Sequence, residues 1–406
     1  MAPPETVAYM DALYPVDEPN LLRTNLLNVV GLVAVVAGAV VFSHIRVGAA
    51  RMTIRRMGDD PWRVALLFLA IGVPIKYFLE LPYVLGLEDF VLPGSVQYFG
   101  AFSGLAIVPL AVAAASGRRG ARPLFWALVV SEFAVGFVML AKLHIIKTVL
   151  LVVLGHYAVR PSLKRLIVTG LIIAVGYVTI LSPFVNFARA MLGRASAQNV
   201  AETAEAVQAY GAEGRETLAE LLPGVQGWWS RLAYANAQAF AMDQYDQGRP
   251  GGTFGMVGYV FVPRFLHGEK PIMTPGIDFT YLIQGTDTSS TGLGFVGEAY
   301  WNGGWLLVCM VGLLVGALFA VLGRFSVAAM RSHRWLYVPL VFHAIYLGLR
   351  PDDWFVPAYV GGVLQVVLVV LLMRLAFSAF VRRRRERRED GRARLTIGAA
   401  MVSAAR

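Results

Sequence analysis

The stretch VPRFLHGEKP at 262–271 puts Arg264, His267, Glu269 and Lys270 within seven positions. That combination suits an anionic substrate. A guanidinium holds phosphate oxygens in a bidentate fork, and an imidazole or carboxylate beside it takes a proton from a hydroxyl. More such groups occur in neighbouring segments. Arg189 and Arg194 lie in FVNFARAMLGR, Arg231 in GWWSRLAYANAQAF, Glu298 in GFVGEAYWNGGW, and Arg350, Asp352 and Asp353 in LRPDDW. Lys142, His144 and Lys147 share LAKLHIIKTVLL. The sequence has no HExxH, no DxD-type carboxylate run and no Cys ligand set, Cys309 being the single cysteine. No metal site is read, and no cofactor motif. Neutralising an anion would fall to the cations, and no disulfide can form within one chain.

The elements that must position these groups are membrane spans. The chain is 57% hydrophobic with 15% charged residues, and its mean hydropathy is +0.60. Apolar runs of about 18 or more residues recur along it, and a long helix satisfies its own backbone in lipid. The expected fold is an all-α integral membrane protein of about nine transmembrane helices. They are read at 26–44, 62–80, 98–116, 124–141, 146–160, 166–184, 292–322, 335–349 and 355–377. Every second short connection is basic: Arg46 to Arg56, Arg118 to Arg122, Arg160 to Arg165 and Arg324 to Arg334. ELPYVLGLEDFVLPGSVQ, on the other side, has no Lys or Arg. By the positive-inside rule the amino terminus lies outside and the carboxyl terminus in the cytoplasm. The first segment is no cleavable signal, because its Arg residues follow the apolar run. Much of the formal net charge of +10 sits in the tail that opens with VRRRRERRED at 381–390. That is a topology signal and a contact for anionic lipid headgroups, with no nucleic-acid partner implied.

Four parts follow: spans one to six in 1–184, a large external connection at 185–291, spans seven to nine in 292–380, and the basic cytoplasmic tail 381–406. A connection of that length is functional or disordered, and this one is patterned. SAQNVAETAEAVQAYGAEGRETLAELL reads as helix. GWWSRLAYANAQAFAMDQY places Trp228, Leu232, Ala235 and Ala239 at amphipathic spacing, which fits a helix lying in the bilayer interface or one packed on the protein's own spans. GRPGGTFG then breaks the helix. The turn between spans four and five carries Lys142, His144 and Lys147, so a tight external hairpin with a basic tip is expected, its lysines either contacting substrate or snorkelling. Glu132 lies mid-span and needs a partner, a proton or water. Lys76 and Glu80, four apart, are placed to pair on one helical face.

An aromatic helix containing an Arg, a Gly-rich break, PR followed by KP, then GFVGEAYWNGGW and a long Gly/Leu/Val span: this order resembles the bacterial oligosaccharide repeat-unit polymerases, the O-antigen or exopolysaccharide polymerase family. The resemblance is sharp over about 225–310 and topological elsewhere. Arg264, Lys270, Glu298, Tyr300 and Asn302 match the family pattern, with Lys142 and Lys147 as a looser match. The resemblance implies a membrane glycosyltransferase of the bacterial inner membrane, facing the periplasm. It would move a growing glycan from undecaprenyl pyrophosphate onto another lipid-linked repeat unit, with a chain-length regulator and a flippase as candidate partners. In that frame Arg264, with Arg189, Arg231 or Arg350, would clamp the donor pyrophosphate, whose charge grows as it leaves. Lys270 would assist with phosphate or hold the loop through Glu269. His267, Glu298 and Asp353 are the candidate bases, and Glu298 has the alternative role of bracing the seventh span. The competing readings are an O-antigen ligase using the same donor, a lipid-linked oligosaccharide transporter, and a non-catalytic scaffold of a secretion complex.

Overall fold

The computed structural model describes residues 18–44, 59–84, 94–192, 200–221, 234–262, 267, 270–271, 273–286, 290–349 and 355–375. Among these the chain is helical with no strand, and it is an all-α multi-pass membrane protein. Eight helices are long and apolar enough to cross a bilayer. They are α1 (Pro19–His44), α2 (Pro61–Tyr83), α3 (Tyr98–Ala115), α4 (Ala121–Val138), α5 (Lys142–Val159), α6 (Leu163–Arg189), α10 (Gly294–Arg331) and α12 (Val356–Leu375). Between α6 and α10 stand α7 (Val200–Leu221), α8 (Ala235–Asp246) and α9 (Pro275–Gln284).

The ninth expected span is the 15-residue apolar helix α11 (Trp335–Leu349). At 1.5 Å per residue it covers about 22 Å, short of a hydrocarbon core of about 30 Å. It nevertheless links the two ends of the bundle. Asp59 Oδ2 accepts the Leu336 N–H at 3.1 Å, and the Asp59 N–H donates to the His333 carbonyl at 3.0 Å. This is the end that holds the Arg-rich turns. At the other end, where the long 190–293 connection emerges, Tyr359 of α12 donates to the Leu347 carbonyl at 3.1 Å.

The most extensive helix pairing among the described residues is α1 against α10. Lipid tails are as apolar as leucine, so spans associate through close backbone packing, which requires small residues. A Cβ on Gly316 would lie 2.0 Å from the Val35 carbonyl oxygen, and one on Gly38 2.2 Å from that of Leu313. A second core gathers Phe68, Phe102, Ile107, Leu110, Phe125 and Trp335 from α2, α3, α4 and the start of α11.

In contrast, α6 stands off the bundle. None of Leu163–Gly176 is buried, and Ile167, Leu171 and Ile172 are more than 60% exposed. Two helices contain a π-helical turn, Lys76–Glu80 in α2 and Tyr177–Leu181 in α6. The long connection folds back on the bundle. α7 packs on the far end of α6, where Phe184, Val185, Ala188 and Ala206 are buried with Leu140. The sequence left open whether the aromatic amphipathic segment lies in lipid or on protein. Trp228, Trp229 and Leu232 fall outside the described residues, and the described half, α8, buries Ala237, Ala239, Ala241 and Met242 against α10 and α1.

Candidate functional site

The opening turns of α10 carry Glu298, Tyr300 and Asn302. The helix is broken at Gly303 and Gly304. Gly304 has φ +62, and any Cβ there would meet the Tyr245 ring at 3.0 Å. The break sets the first ten residues of α10 off from the rest and turns them toward α8 and the 251–256 segment. Glu298 is fully buried. Its Oε2 accepts the backbone N–H of Val356, the first residue of α12, an end that favours negative charge because its amides lack helical partners. Oε1 is buried with no partner in hydrogen-bond geometry, although the Thr253 hydroxyl comes close enough to interact with the carboxylate. Asn302 Nδ2 donates to Thr253 Oγ1 at 2.8 Å and to the Glu298 carbonyl at 2.9 Å, while its Oδ1 accepts the Phe254 N–H at 3.2 Å.

Tyr300 faces α1 and α8. Its hydroxyl accepts from Arg23 Nη2 at 2.9 Å and donates to Asp246 Oδ1 at 3.0 Å. Arg23 Nη1 reaches Asp246 Oδ2 at 2.7 Å and Asn20 Oδ1 at 3.0 Å, and Asn20 Nδ2 donates to Asp243. These bonds join α1, α8 and α10 at the same end of the bundle.

A second polar group surrounds the α4–α5 hairpin. Leu140 takes a positive φ of 47° there, and Arg189 Nη2 holds its carbonyl at 2.9 Å. Lys142 is buried, and its Nζ donates to Asn186 Oδ1 at 2.6 Å and Ser182 Oγ at 3.1 Å. Lys147 lies 4.8 Å over the Tyr346 ring. Deeper in the bundle, Glu132 sits six residues from the end of α4, about 9 Å along the helix. Lys76 Nζ bonds Glu132 Oε2 and lies 2.9 Å from His144 Nε2; that nitrogen is 3.0 Å from the same carboxylate oxygen. Ser103 Oγ donates to Glu132 Oε1 at 2.7 Å.

Beside the hairpin, between α5 and α6, runs an apolar groove of about 400 Å³, lined by Phe137, Ile145, Ile180, Leu181, Phe184 and Tyr210 among others. The ties of Lys142 lie beside this lining, since Ile145 follows Lys142 by three residues and Phe184 sits between its acceptors Ser182 and Asn186.

Set against the sequence reading, Glu298 and Asn302 are brought together around Thr253, Tyr300 turns away to Arg23 and Asp246, and Lys142 and Arg189 lie apart on the hairpin. Several expectations change. Lys142 turns inward instead of standing at the tip, because Ser182 and Asn186 on α6 supply acceptors. Lys147 also points to protein, at Tyr346. Lys76 takes Glu132 as its ion-pair partner in place of Glu80, since the π-helical turn shifts the i,i+4 register. Lys270 donates to the Val262 carbonyl at 3.0 Å and so holds its own loop. The ring of His267 stacks on Tyr259, centroids 6.1 Å apart. Arg231, Arg264, Arg350 and Asp353 lie outside the described residues, as do Arg194 and Glu269. Sequence reading missed Arg23, Asp243 and Asp246; the available signal was an Arg within the first turns of the first span. Among the described residues no cluster of three or more His, Cys, Asp or Glu is arranged to hold a metal ion. No protein family, curated protein or solved structure matches this chain.

Proposed function

We propose that this protein is a polymerase of lipid-linked oligosaccharide repeat units in the bacterial inner membrane, working at its outer face. The observation that carries the reading is one end of the bundle. There an apolar groove lies between α5 and α6, beside the hairpin that Lys142 and Arg189 hold in place, and the same end holds the enclosed carboxylate of Glu298. A lipid-linked pyrophosphate has matching parts. Its polyprenyl chain would lie along the groove, and its phosphates would be met by the cations that the resemblance assigns to the clamp, Arg264 and Arg231 of the long connection and Arg350 after α11.

In the transfer the bond between the anomeric carbon and the phosphate oxygen breaks, and its electron pair leaves with undecaprenyl pyrophosphate. The acceptor hydroxyl oxygen bonds to that carbon and its proton passes to a base. Among the base candidates, Glu298 has one oxygen fixed by the Val356 N–H and the other without a hydrogen bond. It is enclosed, so the acceptor reaches it when the 251–256 segment, tied to Asn302, moves aside. His267 and Asp353 are the alternative bases.

The test is direct. Purified protein is incubated with repeat units on undecaprenyl pyrophosphate, and the glycans are resolved on a gel. The expected result is a ladder from the wild type that disappears in Arg264→Ala. Transfer of a single glycan to a lipid A core sugar, with no ladder, would make the protein a ligase. Uptake of lipid-linked glycan across vesicles without new linkages would make it a transporter.

A further inference from the structure

The opposite end of the bundle holds a larger cavity with a different chemistry. It occupies about 1360 Å³ between α3, α4, α5 and the start of α6. It exists because α6 stands off the bundle. Arg122, Arg160, Lys164 and Arg165 line it and no Asp or Glu does. Among the described residues none of these four cations forms an ion pair. Ser162 is the N-cap of the 27-residue helix α6 and its Oγ accepts the Arg165 N–H, and Ser162, Lys164 and Arg165 at this helix start all line the cavity. Free amides at a helix start add to the pull on an anion.

The cavity does not stop at the rim. Its walls include Ala111 and Val152, four and seven residues inside the ends of α3 and α5, which is about 6 and 10 Å of helix. Phe125, Trp126, Val153 and Leu166 make those walls apolar. The volume also exceeds the ~300–1,000 Å³ of a pocket for a small soluble ligand. A basic mouth over an apolar cleft that runs about 10 Å along α5 matches one kind of molecule.

We propose that this cavity binds an anionic phospholipid, its phosphodiester among Arg122, Arg160, Lys164 and Arg165 and the upper part of an acyl chain between α5 and α6. The chain's own tail does not suit the site, because 381–390 is itself Arg-rich. The lipid fills the gap that α6 leaves and fixes the stance of this helix. The site lies at the other end of the bundle from the α5–α6 groove and stands independently of the glycan reading.

Native mass spectrometry of the full-length protein in detergent tests this, titrating phosphatidylglycerol, phosphatidylethanolamine and glycerol phosphate separately. Phosphatidylglycerol is expected to bind roughly tenfold or more tightly than phosphatidylethanolamine, and Arg160→Gln with Arg165→Gln to weaken it by about ten- to thirtyfold. Arg331→Gln, outside the cavity, is expected to leave binding unchanged. A second variant, Val153→Trp, keeps every charge and fills the cleft; it is expected to exclude the lipid, and it decides the matter if the double variant does not fold. Equal binding of the two phospholipids would overturn the proposal, as would lipid retained by both variants. Glycerol phosphate competing as well as the lipid would overturn it too, leaving a site for a soluble phosphate.

Discussion

Glu132 and Glu298 are both buried carboxylates, 2% and 0% exposed, and they are built in opposite ways. Glu132 has both oxygens engaged: Ser103 on one, Lys76 and His144 on the other. Glu298 has one oxygen on the Val356 N–H and one with no hydrogen bond. A charge sealed among fixed partners cannot change partners without unfolding its surroundings, so the Glu132 group serves the bundle. A carboxylate with an unused oxygen retains capacity for a proton or a hydroxyl, which is why the proposed function assigns Glu298, and not Glu132, as a base.

The strongest way to break this comparison is Glu132→Ala. It strands Lys76 in the bundle without its counter-ion, and a loss of about 3–5 kcal/mol is expected, as for other broken buried pairs. Thermal unfolding in detergent measures it. The double variant Lys76→Met with Glu132→Leu is expected to recover most of the loss, because it removes both charges. If Glu132→Ala leaves stability unchanged but abolishes activity, the two carboxylates have been assigned the wrong way round.

Glu298→Gln is expected to do the reverse. The amide oxygen still accepts the Val356 N–H, so the unfolding temperature should stay near that of the wild type. Loss of a general base lowers turnover by about 10²–10⁴-fold, read as the rate of ladder formation. A stable variant with full activity would reduce Glu298 to a brace between α10 and α12 and transfer the base role to His267 or Asp353.

Tyr300 separates the two halves of its own segment. It follows Glu298 by two residues on α10 and so faces the other way, its hydroxyl spent on Arg23 and Asp246. Tyr300→Phe removes those bonds while keeping the ring against Trp305 and Tyr245. About 1 kcal/mol is expected to be lost, less if water fills the gap, since Arg23 and Asp246 are more than a third exposed. Turnover should fall far less than in Glu298→Gln. A comparable fall would place Tyr300 against substrate, as its match to the family pattern implied.

These cases also mark what the sequence made legible. The spans were readable because each must be apolar over its full length, and the hairpin because it leaves almost no loop. Even α11, too short by length, was visible as a continuous apolar run. Partners were less accessible. Arg23 and Tyr300 are 277 positions apart, and only the packing of α1 on α10 brings them together. The expected Lys76–Glu80 pair rested on α-helical spacing, which the π-helical turn alters. Lys142 was read as an exposed tip because its acceptors, Ser182 and Asn186, lie on a helix whose approach no local pattern encodes. Glu298 was identified as important from its segment, while its unused oxygen followed only from the docking of α12.

A third carboxylate sharpens the contrast at small amplitude. Asp59, just before α2, accepts the Leu336 N–H as Glu298 accepts that of Val356, both at the start of a helix. Burial pushes the Asp59 carboxyl above the usual range, and the Leu336 N–H, Arg334 and Arg374 only partly offset this. The sign follows from a folded-state pKa that lies above the unfolded one. The stabilisation is complete below the unfolded pKa and is lost as pH rises through the folded value. Lowering the pH from about 7 to about 4, near the ordinary Asp value, should therefore raise the unfolding temperature of the wild type slightly relative to Asp59→Asn, which keeps an acceptor for Leu336 but does not titrate. If the difference between the two proteins is flat with pH, the two Arg residues fully neutralise Asp59. It would then belong with Glu132 as a carboxylate whose capacity is filled.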